Sequence, residues 1–376
     1  MIKVGIIGAG PAGCACAKFL QDSASVTLFD FASPLRTLLP TGGGRCNLAH
    51  AEYDFKELVK NYPRGEKFLY SIFSRFSTSD TIDFFESIGI KTYTQDDFRI
   101  FPESNSSKQV REMLLKALNK TTIKREKALR LEDGEKLKLI TDMNSYYFDS
   151  IIIATGGHAS YELFTRLGIN IIEPKPALVG LLTKEKLSNL SGVVIENCKS
   201  EGLIDNLLFT HKGISGPLIY KISSLKAKNK FPYTLSIDLC PKDIDLQDLI
   251  NSNPHKQINN LLSDYIPKRV VNYILEVCEI SSSQKCHLIN AKQRDCILEK
   301  IHSLNLTIIG TSPDGEVVTA GGVDLKEINP KTLESKKVKG LYFIGEVLDI
   351  DGFCGGFNLQ NCWSTAFVAS NAILSM

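Results

Sequence analysis

The 376-residue sequence predicts an α/β protein: a nucleotide-binding parallel sheet made from two separated pieces of chain, with a β-rich plus helical domain inserted between them. Three features carry this reading. The chain opens on a β-branched run that passes through glycines into a helix pattern. A second apolar run, ending in small residues, follows near position 150. A strand-like run, a glycine loop and a helix pattern return close to the C-terminus.

The bulk composition sets limits. The length suits two or three domains at roughly 100–200 residues each. Apolar content of 43% and charged content of 23% are ordinary for globular chains. The 44 basic residues nearly balance the 42 acidic ones, for a net charge of +2. A dedicated nucleic-acid binder carries a strong basic excess, so no nucleic-acid partner is expected. The basic run KISSLKAKNK, Lys221–Lys230, reads as a solvated loop. Ten cysteines are spread along the chain without a C-x-x-C pair, which reads as reduced core thiols in the cytoplasm. The start shows no leader pattern, and no uncharged apolar run approaches the roughly 20 residues of a membrane span.

The first element is IKVGIIGAGPAGCACAKFL. Gly8, Gly10 and Gly13 satisfy G-x-G-x-x-G between a strand and a helix. In that setting Gly8 permits the tight turn, Gly10 lets a pyrophosphate approach the backbone, and Gly13 lets helix and strand pack closely. The helix N-terminus adds free N–H groups and a partial positive charge. The next strand, SVTLFD, ends in Asp30, placed to accept hydrogen bonds from a ribose hydroxyl. A Rossmann-like dinucleotide site is therefore expected.

TGGGRCN, Thr41–Asn47, follows closely. Gly42, Gly43 and Gly44 suit a backbone that bends through positive φ or lies against a bulky ligand. Arg45 offers charge-assisted donors to phosphate oxygens. Cys46 is expected to be a small buried side chain.

Residues 54–120 read mainly as helices, with TIDFFESIGI closing at Gly89 and SKQVREMLLKALNK amphipathic. EKALRLEDGEKLKLIT reads as a hairpin turning at Asp133-Gly134. FDSIIIATGG is a buried strand, and its exit through Ala154, Thr155 and Gly156 allows a ligand against the backbone. From about Lys175 to Leu306 short strands and then short helices suggest the inserted domain. Cys278, Cys286, His287 and Cys296 match no structural zinc spacing and read as core thiols with an ordinary histidine, so no metal is expected. In FTHKGISGP, Phe209–Pro217, two roles stay open for His211: a substrate-side acid or base, or, as favoured, a turn-stabilising residue.

In the tail, GLYFIGE is a strand ending at Gly345-Glu346, and DGFCGGFNLQ is a glycine loop entering a helix. A helix N-terminus there can stabilise negative charge on a reduced flavin. A second segment returning to the cofactor is expected of a two-part FAD-binding fold.

In these motifs the sequence resembles the BaiN-like (YhiN-like) NAD(P)/FAD-dependent oxidoreductases over nearly its whole length. GAGPAG, TGGGRCNL, ATGG, PALVGL, LFTHKGISGP, VTAGGV and GLYFIGEVLDIDGFCGGFNLQNCWST carry the resemblance. It implies an FAD-binding domain in two pieces, 1–175 and 316–376, around an insert at 176–315 that is β-rich to about 240 and helical from 241 to 305. It implies an FAD site formed by Gly8, Gly10, Pro11, Ala12, Gly13, Asp30, Phe31, Gly42, Gly43, Gly44, Arg45, Cys46, Asn47, Ala128, Ala154, Thr155, Gly156, Gly345, Glu346, Asp351, Gly355, Gly356, Phe357, Asn358 and Leu359. Two departures stand out. The segment after ATGG is short, and GFCGGFN carries Cys354 where relatives more often have threonine. Cys354 reads as a tolerated small residue, with a place beside the flavin ring as the alternative.

The expected function is an FAD-dependent oxidoreductase. With a single dinucleotide fingerprint, NAD(P)H would dock transiently, and a small organic acceptor or oxygen would take the electrons. An amine-type flavin oxidase is the enzyme alternative. An FAD-containing RNA- or partner-binding protein without redox turnover is the alternative of another class. The sequence names neither the substrate nor a catalytic acid or base.

Overall fold

The structure, a computed structural model, describes residues 1–157, 161–240, 242, 244–313 and 318–376. The chain divides into two units, Met1–Lys175 with Val318–Met376, and Pro176–Val317. The expected boundary between residues 315 and 316 and the start of the short segment after ATGG, residues 158–160, lie outside the described residues.

In the first unit five parallel strands lie in the order Leu341–Phe343, Ser150–Ile153, Lys3–Ile7, Ser25–Phe29 and Thr122–Lys124. Ile6 sits between Ile152 and Leu28, and all three are fully buried. Such continuous apolar runs are what a parallel sheet covered on both faces requires. Pro11 opens the helix Pro11–Leu20, where its missing N–H leaves no bond unmade. This helix packs on the C-terminal helix Phe357–Leu374, and Cys16 Sγ lies 3.2 Å from Ser370 Oγ between them. Small side chains on both helices allow this approach. The antiparallel hairpin sheet Ala128–Glu132, Leu137–Thr141 and Ser145–Phe148 brings Phe148 against Gly5 and edge-on to Phe29 at 5.9 Å.

The middle segment holds the expected helices Glu66–Phe73, Thr78–Ser87 and Ser107–Ala117, the second closed by a Ser77/Asp80 capping box. Reading it as mainly helical needs one correction. Ala49–His50, Arg99–Pro102 and Thr92–Thr94 form a three-stranded antiparallel sheet. These strands are too short for alternation to show, and Ile100 and Phe101 are buried in succession.

The second unit has its own apolar core. Its six-stranded antiparallel sheet runs Val194–Ser200, Leu203–Phe209, Gly213–Ser215, Leu181–Thr183, Leu304–Thr311 and Tyr233–Ile237. Helices Leu246–Ser252, Ile258–Leu262, Lys268–Val277 and Ala291–His302 follow the strand-rich half. Here the reading of Cys278 and Cys296 as core thiols is corrected: they form a disulfide, with Cα atoms 6.0 Å apart. The end of one helix meets the flank of another, a juxtaposition that an 18-residue separation does not reveal. Among the described residues no helix is long and apolar enough to cross a membrane, and no cluster of potential metal ligands occurs.

Candidate functional site

The nucleotide turn is fixed by backbone contacts that only glycine permits. A Cβ on Gly13 would lie 1.9 Å from Gly8 O, and one on Gly8 would lie 2.3 Å from Ala154 O. The turn is thus seated directly on the exit of the neighbouring strand, which brings Gly8–Gly13 together with Ala154, Thr155 and Gly156. Gly10 differs. Its φ is −78°, and a Cβ there would meet only Thr37 Oγ1, at 3.8 Å. The helix that follows has neither a side-chain cap nor an acid in its first turn. Its positive end therefore adjoins the open space at Gly10, although Ala12 N–H is bonded to Cys362 and Cys14 N–H to Gly10 O.

Asp30 accepts from Ala9 N at 2.7 Å and from Ala32 N at 2.8 Å. It pins the turn in place, and each carboxylate oxygen keeps a further lone pair. Phe31 beside it is 65% exposed.

In the TGGGRCN loop, Gly42, Gly43 and Gly44 have φ of 58°, 66° and 85°, a left-handed run suited to glycine. The Arg45 guanidinium stacks over the Phe101 ring at 4.1 Å and Arg45 Nε donates to Gly42 O at 3.3 Å. Among the described residues it has no carboxylate partner. Cys46 is fully buried, and burial pushes its thiol up to about 12.

The tail joins the same end of the sheet. Gly345 N donates to Thr365 Oγ1 at 3.0 Å, and a Cβ on Gly345 would lie 2.8 Å from Ala12 Cβ. Glu346 Oε1 accepts from Thr319 N at 2.8 Å. Tyr161 donates to Gly157 O at 3.1 Å, and its phenol is pushed up to about 12 by burial and then by the Glu346 and Asp349 charges. Gly356 lies so close to Ala49 O that a Cβ would come within 2.3 Å. His50 Nδ1 is 3.1 Å from Gly355 O, and its ring stacks on Phe357 at 4.5 Å. Because a carbonyl only accepts, Nδ1 carries the proton in that bond. Burial lowers the His50 imidazole below its ordinary value.

Three sequence-predicted residues are engaged elsewhere. Asp351 is fully buried in a bidentate pair with Arg64. Asn358 clamps Gly352, accepting from its N–H at 2.8 Å and donating to its carbonyl at 2.9 Å. Ala128 pairs with Thr141 in the hairpin sheet. Leu359 is half-buried in the first turn of the C-terminal helix, and Cys354 is half-buried in the loop before it. His211 is exposed in the turn between Leu203–Phe209 and Gly213–Ser215.

Residues that sequence reasoning passed over complete the arrangement: His50, Arg64, Tyr62, whose hydroxyl donates to Phe357 O at 2.6 Å, and Trp363, whose Nε1 donates to Leu48 O at 2.9 Å. Only His50 carried a local signal, three residues after the glycine-arginine motif.

The residues present fit FAD. Asn47 Oδ1, Thr155 Oγ1, Thr319 Oγ1 and Asn361 Oδ1 are buried without a hydrogen-bond partner in the segments that form the site, as are Ser150 Oγ and, in the insert, Asn259 Oδ1. Buried polar atoms of native proteins are normally satisfied, so a polar ligand accounts for such a group of orphans. The Cys14, Cys16, Cys46 and Cys362 thiols are all raised by burial, which leaves them protonated and poor nucleophiles.

Over residues 2–372 the chain matches the family described as HI0933-like protein Rossmann domain. It is 31% identical over 399 residues to a Haemophilus influenzae protein named ribosomal RNA dihydrouridine synthase, covering 98% of this chain and 97% of that one. An Escherichia coli protein of the same name is 30% identical over 403 residues, with 98% and 97% covered. The 3-dehydro-bile acid delta(4,6)-reductase of Clostridium scindens is 28% identical over 408 residues, with 99% of each chain covered. Among solved structures, the open conformation of a flavocytochrome c3 fumarate reductase aligns with a TM-score of 0.51 at 14% identity, over 100% of this chain and 78% of that one. These matches bear out the resemblance read from the glycine-arginine and tail motifs, and the chain belongs to the HI0933-like protein Rossmann domain family.

Proposed function

We propose that this protein is an FAD-dependent oxidoreductase that takes electrons from NAD(P)H and saturates a carbon–carbon bond conjugated to a carbonyl, with a uridine of ribosomal RNA as substrate. The observation that carries the redox half is the open glycine turn at Gly10, whose neighbour Gly8 abuts Thr155 with its unpartnered buried hydroxyl. Bound FAD supplies a ring that accepts a hydride from a nicotinamide and delivers one to an acceptor. The chain's own residues hold and shape the site. The helix Pro11–Leu20 offers its N–H groups and Arg45 its guanidinium to the phosphates, and Asp30 takes a ribose hydroxyl. The Arg64–Asp351 pair and the Asn358 clamp keep the tail loop in one conformation.

The acceptor follows from the chemistry that the relatives' names share. Dihydrouridine differs from uridine by saturation of one ring bond conjugated to a carbonyl. A reductase of a dehydro-bile acid does the equivalent on a steroid enone. Each reaction adds one hydride and one proton. The relatives named for ribosomal RNA are 30% and 31% identical, against 28% for the bile-acid reductase, and this favours the RNA substrate. The near-neutral net charge set the opposite expectation, but net charge does not describe a local surface. The setting proposed is the cytoplasm.

The test is to incubate unmodified ribosomal RNA with the protein, FAD and NADH or NADPH, and to read nucleosides by mass spectrometry. A uridine that gains two hydrogens supports the reading. Oxidation of NAD(P)H with a steroid enone, and none with RNA, replaces it with the small-molecule reading.

A further inference from the structure

The motif Phe209–Pro217 belongs to the second unit. Its turn closes against a neighbouring strand of the insert. Thr183 N donates to Lys212 O at 3.1 Å, and Lys184 N donates to Thr307 O at 2.9 Å. These bonds set His211 and Lys212 beside the segment that leaves the strand Leu181–Thr183. A shallow groove of about 320 Å³ runs between them, lined by Lys184, Lys186, Ser188, His211, Lys212 and Ile309.

The lysines of this unit fall into paired and unpaired sets. Lys221, Lys226, Lys256 and Lys300 each hold a carboxylate, at 2.8, 3.0, 3.0 and 2.8 Å. Among the described residues Lys184, Lys186 and Lys212 have none, and all three are exposed. The single acid of the groove, Glu185, accepts from Thr307 N with both oxygens at 3.0 Å and keeps its negative charge. Three ammonium groups, one carboxylate and an imidazole thus line one concave strip, with positive charge in excess. His211 is the one ring in its lining, with no Phe, Tyr or Trp beside it, so it offers little for a base or a nicotinamide to stack on. A track of positive charge with one small ring suits a phosphate backbone, which positions a strand without reading its sequence.

We propose that this groove on the insert binds the phosphate backbone of the RNA substrate. The inference rests on the reading that the protein acts on ribosomal RNA. A net charge of +2 does not stand against this, because a local excess of positive charge is enough to meet a phosphate backbone.

The test uses the full-length protein loaded with FAD and a fluorescein-labelled ribosomal RNA fragment, titrated by anisotropy at several salt concentrations. The double variant Lys184→Glu/Lys212→Glu should bind roughly tenfold or more weakly, and the slope of log affinity against log salt should fall by about 1.4–1.8, for two lost phosphate contacts. Lys184→Gln/Lys212→Gln should show a smaller loss in the same direction. Lys230→Glu, an exposed lysine outside the groove, should bind as wild type. Flavin reduction by NAD(P)H should be the same in all of them. Wild-type affinity and slope in both double variants would overturn the groove while leaving the RNA substrate standing, provided dihydrouridine still forms. A wild-type protein that neither binds RNA nor modifies it would overturn both.

Discussion

Replacing Gly10 with alanine separates ligand binding from folding. At Gly10 the backbone has φ of −78°, which alanine adopts without strain. The added Cβ would meet nothing nearer than Thr37 Oγ1, at 3.8 Å. Two small terms act on the fold. Alanine restricts the unfolded chain, which stabilises by about 0.4–1 kcal/mol. Alanine is also a poorer N-cap than glycine, which destabilises by a similar amount. They offset, and the melting temperature of the apoprotein should stay within about 4 °C of wild type. The ligand meets a different situation, because the methyl group enters the space where the turn would receive the pyrophosphate. Forcing one extra carbon into a packed contact costs about 1–3 kcal/mol, or roughly 5- to 150-fold in affinity. The assay is quenching of FAD fluorescence by apoprotein, alongside thermal unfolding of the same sample. Unchanged FAD affinity in Gly10→Ala would refute the placement of the phosphates at this turn. A large loss of apoprotein stability would refute the reading of the site as open.

Three further outcomes follow from the structure. Asp351→Ala removes the carboxylate that meets the Arg64 guanidinium, which is only 12% exposed, and should lower stability by up to about 3–5 kcal/mol in urea unfolding. The His50 imidazole lies below its ordinary value of 6.5 because burial disfavours its charged form. The unfolded chain therefore takes up a proton first as pH falls, so the His50 contribution is intact above 6.5 and is lost below it, down through the lowered folded value. His50→Gln should flatten that part of the stability-against-pH curve, and an unchanged curve would contradict the assignment. Reducing Cys278–Cys296 opens a loop with a sequence separation of 18, which should lower the melting temperature of the insert by an amount equivalent to about 3 kcal/mol, and Cys278→Ser should abolish the effect of reductant.

What the sequence disclosed was local chemistry. The glycine turn is legible because Gly8, Gly10 and Gly13 fall between a strand and a helix with Asp30 at the end of the next strand. The C-terminal helix Phe357–Leu374 is legible from the glycine loop before it, although burial on nearly every side erases its period. What stayed hidden is contact across long separations. Arg64 meets Asp351 from 287 residues away, and His50 meets Gly355 from 305 away, so neither pair shows a spacing that a motif can capture. The use of the Asn358 side chain on Gly352 was hidden for another reason: an asparagine in a motif looks the same whether it faces a ligand or its own loop. The strand Arg99–Pro102 was too short to declare its period within a helical stretch.

The central claim is that the two ends of this chain hold a flavin that a nicotinamide can reduce. The most direct measurement is the visible spectrum of the purified protein supplied with FAD, followed without oxygen as NADH and then NADPH is added. The account predicts flavin absorption bands that stay with the protein through gel filtration and bleach with one of the two donors. Bands that persist with both donors would contradict the NAD(P)H-dependent reaction, and a protein that retains no flavin would contradict the site itself.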